Sequence, residues 1–164
     1  MKDIQNISRH IGESPETQIL NYIPITQDLA TSGQPTPLQI KAIAEAGYDS
    51  IINLAMHDSP NALFDEGGLV SEAGMNYFHI PVPFDAPTIE HIKLFINLMD
   101  ALNQEYQRIW VHCAYNWRVS AFMTHYRMTK PEEMLVLEQW KPDDTWLAFL
   151  ELQPRGFELR ERKF

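Results

Sequence analysis

The hydrophobic positions of the chain recur at two spacings, and the first of these predicts helices. After Thr88, apolar residues recur every three or four positions as far as Gln104, which predicts one long helix with an apolar face made of Ile89, Ile92, Phe95, Ile96, Met99 and Leu102. A shorter apolar stripe through Leu38, Ile40 and Ile43 follows Thr36 and Pro37, which suit a helix start, and ends at Gly47. Further helices are expected over residues 66–73, 119–129, 131–140 and 143–152.

The second spacing predicts short buried strands. Runs of β-branched and apolar residues, bounded by polar loops, cover residues 50–55, 76–82 and 108–112, with a further strand near residues 22–25. Because strand and helix patterns alternate, we expect an α/β fold: a single domain with a mainly parallel central sheet flanked by helices. The segment from Cys113 to Arg118 then connects the third strand to the helix that follows it.

Composition restricts the class of protein further. The chain has 164 residues, 45% of them hydrophobic, which suits one domain over residues 1–164, with residues 1–20 and 153–164 expected to be loosely held. Its formal net charge of −9 argues against a protein that binds nucleic acid or an anionic membrane. One cysteine excludes an intramolecular disulfide, and the polar stretch from Met1 to Glu13 is unlike a secretory signal, so a cytoplasmic location is expected.

The single cysteine stands at the most informative point of the pattern. Cys113 follows a predicted strand, Arg118 stands at a predicted helix start, and Ser120 lies further along that helix. A cysteine is a good nucleophile only as the thiolate, which a helix N-terminus and a nearby cation stabilise. Arg118 offers a planar fork of donors for a tetrahedral oxyanion, and Ser120 has a hydroxyl that can hydrogen-bond a thiolate. His112 is expected to order this loop by hydrogen bonding rather than to act as a base.

Several short motifs carry a resemblance to a known family. The chain resembles the cysteine-dependent tyrosine and dual-specificity phosphatases, whose signature is H-C-x-x-G-x-x-R-[ST] after a strand. It is most similar to their bacterial beta-lactamase-hydrolase-like branch, of the DUF442 type. The resemblance covers about residues 31–126 and rests on Ser32-Gly33-Gln34-Pro35, Ile52-Asn53-Leu54, Ile80-Pro81-Val82, and His112-Cys113 with Asn116, Arg118, Val119 and Ser120.

This resemblance implies a dual-specificity-phosphatase-like fold and hydrolysis of a phosphate monoester through a thiophosphate on Cys113. Arg118 would hold the phosphate together with the loop residues Ala114, Tyr115, Asn116, Trp117, Val119 and Ser120. Asp85 is the first candidate for the general acid, and Asp58 and Glu66 are the alternatives. The expected partner is a phosphorylated small molecule or protein, and phosphate or sulfate should occupy the site. No metal, cofactor, nucleic acid or membrane is expected.

The loop departs from the family signature in two places. Asn116 stands where the signature has glycine, and Asn tolerates a positive φ angle better than other non-glycine residues. Arg118 comes one residue early, with Val119 in its usual position, and one residue turns a helical side chain by about 100°. Either the loop is remodelled so that Arg118 still faces the site, or the site has lost its main cation.

Two other functions fit the same residues. Rhodanese-like sulfurtransferases also place a cysteine loop at a strand end, and the four residues between Cys113 and Arg118 match their commoner loop length. A phosphate-binding pseudophosphatase, in which the displaced arginine binds without supporting turnover, is the non-enzymatic alternative. Tyr115 and Trp117 either form the wall of a pocket or cover the edge of the core.

Overall fold

A computed structural model describes residues 14–127 and 140–154 and shows an α/β fold around one five-stranded sheet. The sheet order is β1-β2-β5-β3-β4; β1 runs antiparallel to β2, and the other neighbouring pairs are parallel. The strands are β1 (Ile23–Thr26), β2 (Leu29–Ser32), β3 (Ser50–Asn53), β4 (Asn76–His79) and β5 (Ile109–His112). The predicted fold class, a mainly parallel central sheet flanked by helices, is confirmed.

Five α-helices lie in the described part of the chain, preceded by a short 3₁₀ helix, Pro15–Gln18. They are α1 (Pro37–Glu45), α2 (Glu66–Glu72), α3 (Ile89–Gln104), α4 (Trp117–Arg127) and α5 (Asp144–Leu150). Within residues 14–127 and 140–154, no helix is long and apolar enough to cross a membrane. The helix predicted over residues 131–140 falls, except for Trp140, outside the described residues, as do residues 1–13 and the charged tail over residues 155–163.

The helix starts follow the local sequence closely. Thr36 and Thr88 cap α1 and α3 as predicted, and each closes a capping box with the third helical residue, Gln39 and His91 respectively. Gly47 follows α1 with a φ of +90°, a conformation that glycine adopts without steric cost. These boundaries are set by residues within one helical turn of each other.

Strand β2 is the element that the pattern did not predict. All four of its residues are buried, and Thr31 and Ser32 are among them, so neither an alternating nor an apolar pattern marks the strand. Its place between β1 and β5 is what makes it a strand, since both edges are then hydrogen-bonded. Within residues 1–20, which were expected to be loosely held, Pro15–Gln18 form the 3₁₀ helix and Ile19 is buried in the core.

The core consists of two hydrophobic clusters, and neighbouring residues along a strand belong alternately to one cluster and to the other. Ile51 and Trp110 belong to one cluster, whereas Ile52 and Val111 belong to the other, as the alternation along strands requires. Five of the six residues predicted for the apolar face of α3 are buried, and the sixth, Ile89, is half-buried. Leu38 at the start of α1 is 77% exposed and lies outside the core. The parallel strands β2, β5 and β3 all end at the same edge of the sheet, where loops can build a site.

Candidate active site

A cavity of about 350 Å³ opens at this edge of the sheet and contains both the cysteine and the arginine. Besides Cys113 and Arg118, it is lined by Met56, Asp58, Ser59, Pro60, Phe84, Ala114, Tyr115 and Trp117. These residues come from three segments: the loop after β3, the loop before α3, and the connection between β5 and α4 together with the first turn of α4. Three parts of the chain that are distant in sequence therefore meet at Cys113.

The local structure around Cys113 is a strand, a four-residue loop and a helix. Cys113 follows β5 directly and is only 1% exposed, and α4 begins at Trp117, two residues earlier than the pattern predicted. The first backbone N–H groups of a helix have no partner within the helix, and together they favour an anion. The loop therefore joins a thiol to the N-terminus of an eleven-residue helix.

Arg118 lies in the first turn of α4, and its side chain reaches the cavity. The side chain is buried, Nη1 donates a hydrogen bond to the Val82 carbonyl at 2.9 Å, and the guanidinium lies 5.6 Å from the centre of the Phe84 ring. Val119, which occupies the usual arginine position of the signature, is fully buried in the hydrophobic core. The Arg118 side chain thus lines the same cavity as Cys113, which favours the first of the two alternatives left open by the spacing.

The loop is fixed from outside through its carbonyl groups. The Ala114 carbonyl accepts hydrogen bonds from the backbone N–H of Gln34 at 3.1 Å and from Asn61 Nδ2 at 3.0 Å. The Tyr115 carbonyl accepts one from Asn21 Nδ2 at 2.9 Å. Gly33 packs so closely that an added Cβ would stand 2.8 Å from the Ala114 oxygen. With these carbonyls turned towards the surrounding chain, the loop is held in place before any ligand binds.

Asn116 takes the place of the signature glycine and has a φ of 68°, as its tolerance of this region predicted. Its Nδ2 donates to the Asn21 carbonyl at 2.8 Å and to Thr31 Oγ1 at 3.1 Å, contacts that a glycine could not make. The Ser120 hydroxyl, which was expected to be able to hydrogen-bond the thiolate, donates its hydrogen bond to the Asn116 carbonyl at 2.6 Å. Asn116 and Ser120 thus stabilise the loop from behind, and neither is among the described residues that line the cavity.

The three candidate acids occupy different surroundings. Asp58 lines the cavity. Asp85 is exposed and is not one of the described lining residues, although its neighbour Phe84 is one. The Phe84 carbonyl accepts a hydrogen bond from Trp146 Nε1 at 2.8 Å. Glu66 is buried beneath the loop, where Oε1 lies 2.5 Å from His112 Nε2. Of the three, only Asp58 is among the described residues that line the cavity; Asp85 follows a lining residue in the chain, and Glu66 lies below the loop.

Aromatic side chains form much of the cavity wall. Tyr115 and Trp117 both line it, with ring centres 5.3 Å apart, and Trp117 stacks on Trp140 at 6.0 Å. Phe84 completes this wall and contacts Trp146. The alternative in which Tyr115 and Trp117 form a pocket wall is therefore the one that the structure shows.

Some residues of the site were missed by sequence reasoning. Asn21 and Asn61 fix the loop from distant segments, and nothing in their own neighbourhoods marks them for this. Phe84 and Met56 are wall residues that apolar patterning cannot distinguish from core residues. Phe84 alone had a signal, because it directly precedes the candidate acid Asp85.

The chain is similar to known proteins in both sequence and fold. The profile of the family described as "DSP-PTPase phosphatase fused to NAD+ Kinase" matches residues 21–147. A DUF442 protein from Shewanella putrefaciens CN-32, with a crystal structure at 1.40 Å resolution, is 30% identical, with a TM-score of 0.75 over 84% of this chain and 94% of that one. A comparison with curated protein sequences found no match.

Two more distant structures show the same fold. The catalytic domain of the PP-IP phosphatase SIW14 from S. cerevisiae, solved with citrate, is 15% identical, with a TM-score of 0.70 over 88% of this chain and 93% of that one. A variant of TpbA from P. aeruginosa, solved with pTyr, is 14% identical, with a TM-score of 0.66 over 88% and 92%. Since the family profile spans most of the described residues, the chain belongs to the DSP-PTPase phosphatase family.

Proposed function

We propose that the protein hydrolyses phosphate monoesters through a thiophosphate intermediate on Cys113. The observation that carries this proposal is the common cavity of Cys113 and Arg118 at the N-terminus of α4. An anion bound there would meet the backbone N–H groups of the helix N-terminus and the Arg118 guanidinium. The guanidinium has five N–H donors, and only one of them is used in the hydrogen bond to Val82, so the others can bind the anion. This arrangement stabilises both a thiolate and the equatorial oxygens of a phosphoryl group.

The reaction would proceed in two displacements. In the first, Cys113 Sγ forms a bond to phosphorus while the bond from phosphorus to the ester oxygen breaks, and a carboxylic acid gives its proton to that oxygen. In the second, water forms the new P–O bond, the S–P bond breaks, and the proton of the water returns to the carboxylate. Arg118 and the α4 N-terminus hold the phosphoryl oxygens throughout both steps.

We assign the acid to Asp85. Its loop is fastened to the site at two points, since Val82 accepts a hydrogen bond from Arg118 and Phe84 is held by Trp146. Asp85 follows the wall residue Phe84 directly, in a turn in which the Ala86 N–H donates to the Pro83 carbonyl at 3.2 Å. Asp58 already lines the cavity and is the alternative that mutagenesis has to separate from Asp85.

The cavity wall favours an aromatic phosphate ester as the substrate. Phe84, Tyr115 and Trp117 offer ring faces on which an aromatic leaving group can stack. Among the described lining residues Arg118 is the one cation, and Asp58 adds a negative charge near the mouth. A second phosphate on the substrate would therefore be repelled. The pTyr-bound structure of TpbA is consistent with an aryl phosphate in this fold.

Release of p-nitrophenol from p-nitrophenyl phosphate tests the proposal. Cys113→Ser should abolish turnover, because a hydroxyl at this position is a far weaker nucleophile than a thiolate. Lys41→Ala, on the outer groove between α1 and α2, should leave turnover at the wild-type rate and serves as the control. Turnover that survives Cys113→Ser would overturn the proposed mechanism.

Two further assays separate the other functions that fit these residues. A persulfide enzyme would form thiocyanate from cyanide, which a phosphatase would not. A pseudophosphatase would bind phosphate or sulfate, measured by calorimetry, without releasing p-nitrophenol. We expect phosphate binding together with turnover and no thiocyanate.

A further inference from the structure

The loop after β3 brings one carboxylate to the wall of the cavity that contains the cysteine. This loop makes two successive turns, closed by hydrogen bonds from the Ser59 N–H to the Met56 carbonyl at 3.1 Å and from the Ala62 N–H to the Ser59 carbonyl at 2.9 Å. Asp58 lies in the first turn and lines this cavity, whereas its neighbour His57 lines a smaller cavity of about 190 Å³. The loop therefore presents Asp58, and not His57, to the proposed active site.

The chain fixes the loop of Asp58 on both sides of the nucleophile. Before Asp58, the Leu54 N–H donates a hydrogen bond to the His112 carbonyl at 2.8 Å. After it, Asn61 Nδ2 donates one to the Ala114 carbonyl at 3.0 Å. The two acceptors are the chain neighbours of the nucleophile. The position of the carboxylate is thus tied to the position of the reacting sulfur.

The cavity extends from a buried thiol to an exposed carboxylate. Cys113 is 1% exposed, whereas Asp58 is exposed and the Tyr115 side chain is 40% exposed. Tyr115 and Trp117 belong to the aromatic wall of the same cavity. A phosphate held by Cys113 and Arg118 would leave the far end of an aryl ester pointing towards the mouth, where Asp58 lies.

The charges and rings at the mouth favour a cation on the ligand. Within the part of the chain that the structure describes, Asp58 forms no ion pair. Arg118, the one cation among the described lining residues, is buried and belongs to the proposed phosphate site. Aromatic ring faces such as those of Tyr115 and Trp117 also attract a positive charge. The phosphate end and the mouth of the cavity therefore suit opposite charges.

We propose that Asp58 is a specificity-determining residue, which selects aryl phosphates that carry an ammonium group on the side of the ring away from the phosphate. This inference rests on the proposed function, because that function places the phosphate beside Cys113 and Arg118. The ammonium group would lie against the Asp58 carboxylate and the ring faces of Tyr115 and Trp117. A substrate with a negative group in the same place would be rejected by the same carboxylate.

Three aryl phosphates that share one ring test this inference: tyramine phosphate, its N-acetyl derivative and 4-(2-carboxyethyl)phenyl phosphate. Near pH 7 their para groups carry one positive charge, no charge and one negative charge, since an alkylammonium titrates near about 10 and a carboxylic acid near about 4. Calorimetry with Cys113→Ser, which should leave the esters intact, measures their affinities without turnover. The use of one ring keeps stacking on the cavity wall the same in all three.

Tyramine phosphate should bind about tenfold more tightly than its N-acetyl derivative, because an exposed ion pair contributes about fivefold and a ring contact about twofold more. The carboxyethyl ester should bind about fivefold more weakly than the N-acetyl derivative. Salt at about 1 M should reduce these differences, since it shortens the screening length to about 3 Å. In the wild-type protein the same order should appear in KM and little in kcat, because the charge lies away from the bond that breaks.

Two variants in the Cys113→Ser background assign the preference to Asp58. Asp58→Asn keeps the size of the side chain and should bring the ammonium and N-acetyl esters within about twofold of each other, the factor left to the rings. Asp58→Lys should reverse the order of the three esters. A tenfold preference that survives Asp58→Asn would overturn the inference.

Glu45→Gln is the matched control for net charge. Glu45 is exposed at the end of α1 and lines the outer groove, so this variant removes one negative charge from the chain at a distant place. The full preference for the ammonium ester is expected in Glu45→Gln. Its loss there would show that the overall charge of −9, and not Asp58, attracts the cation, and would overturn the inference.

The same measurements separate this inference from the proposed function. If wild-type protein releases no p-nitrophenol but the three esters bind in the expected order, the phosphatase proposal fails and the role of Asp58 stands. If turnover is present and the three esters bind equally, the role of Asp58 fails and the phosphatase proposal stands. Absence of binding by all three esters would also overturn the role of Asp58.

Discussion

The guanidinium of Arg118 donates a hydrogen bond to the carbonyl oxygen of Val82, at 2.9 Å. Val82 lies three residues before Asp85, so the cation of the anion site is fastened to the loop that carries the candidate acid. Phe84, in the same loop, packs over that guanidinium. One side chain therefore has two tasks: it faces the space where a phosphate would bind, and it holds the adjacent loop.

We expect Arg118→Lys to separate these two tasks. Lysine keeps a positive charge but loses the planar fork that can serve two acceptors at once. The kcat/KM for p-nitrophenyl phosphate should fall about 100-fold, a typical effect of losing one such donor. Arg118→Ala should fall further and should also lower the melting temperature, because the Val82 carbonyl loses its partner. Wild-type kcat/KM in Arg118→Lys would contradict the role assigned to the fork.

The choice of leaving group can distinguish the two candidate acids, Asp85 and Asp58. Without a general acid, phenol leaves far more slowly than p-nitrophenol, because its oxygen is the stronger base. We expect Asp85→Asn to lower kcat on phenyl phosphate about 100-fold and to affect p-nitrophenyl phosphate much less. Asp58→Asn, the matched control, should change both substrates by the same small factor. The reverse result would assign the acid to Asp58.

Replacing Asn116 by alanine should destabilise the protein more than replacing it by glycine. Asn116→Ala loses hydrogen bonds to the Asn21 carbonyl and Thr31 Oγ1, worth about 1 kcal/mol each, and leaves a Cβ at a φ of 68°. The strain adds about 1 kcal/mol or more, for a total loss of about 3 kcal/mol. Asn116→Gly avoids this strain, so its urea midpoint should lie between those of the wild type and the alanine variant. A glycine variant less stable than the alanine variant would contradict this account.

Gly33 should tolerate no side chain, because it approaches the nucleophile loop. Gly33→Ala puts a Cβ 2.8 Å from the Ala114 oxygen, which forces the loop to shift and should cost about 1–3 kcal/mol of stability together with most of the turnover. Gly74→Ala is the control: Gly74 has a φ of +86°, and a Cβ added there would meet nothing within 4 Å, so stability should fall while KM and kcat remain unchanged. Unaltered kinetics in Gly33→Ala would show that the contact does not position the loop.

Burial of the His125 side chain should lower the free energy of unfolding at acid pH. Burial lowers the pKa of His125 below its ordinary value of 6.5, and its Nε2 lies 2.8 Å from the Phe149 carbonyl, which joins α4 to the end of α5. Because the unfolded chain then binds a proton that the folded chain does not, stability falls as the pH drops below about 6.5. His125→Gln should have a flatter dependence of the melting temperature on pH between about 7 and about 5 than the wild type. Parallel curves would show that another group causes the acid sensitivity.

Much of the fold followed from short-range chemistry. The caps at Thr36 and Thr88 and the stop at Gly47 depend on residues within one helical turn, and the structure has them where the sequence predicts. Strand β2 could not be found in this way, because its Thr31 and Ser32 are buried only by the strands on either side. For Leu38 the prediction was wrong in the opposite direction: it was placed on the apolar face of a helix, but it is exposed. Single apolar residues are tolerated on a protein surface, so an apolar residue in the pattern need not be buried.

The sequence by itself determined that a cysteine would lie between a strand and a helix, next to an asparagine able to take a positive φ. Only the tertiary structure decided where Arg118 points, that Ser120 bonds to Asn116, and that Glu66 lies under His112 rather than in the cavity. These outcomes depend on contacts between residues far apart in the chain, such as Asn21 and Asn116, which are separated by 95 positions. Local propensity is fixed by the neighbouring residues, whereas the direction of a side chain at a loop is fixed by whatever the fold packs against it.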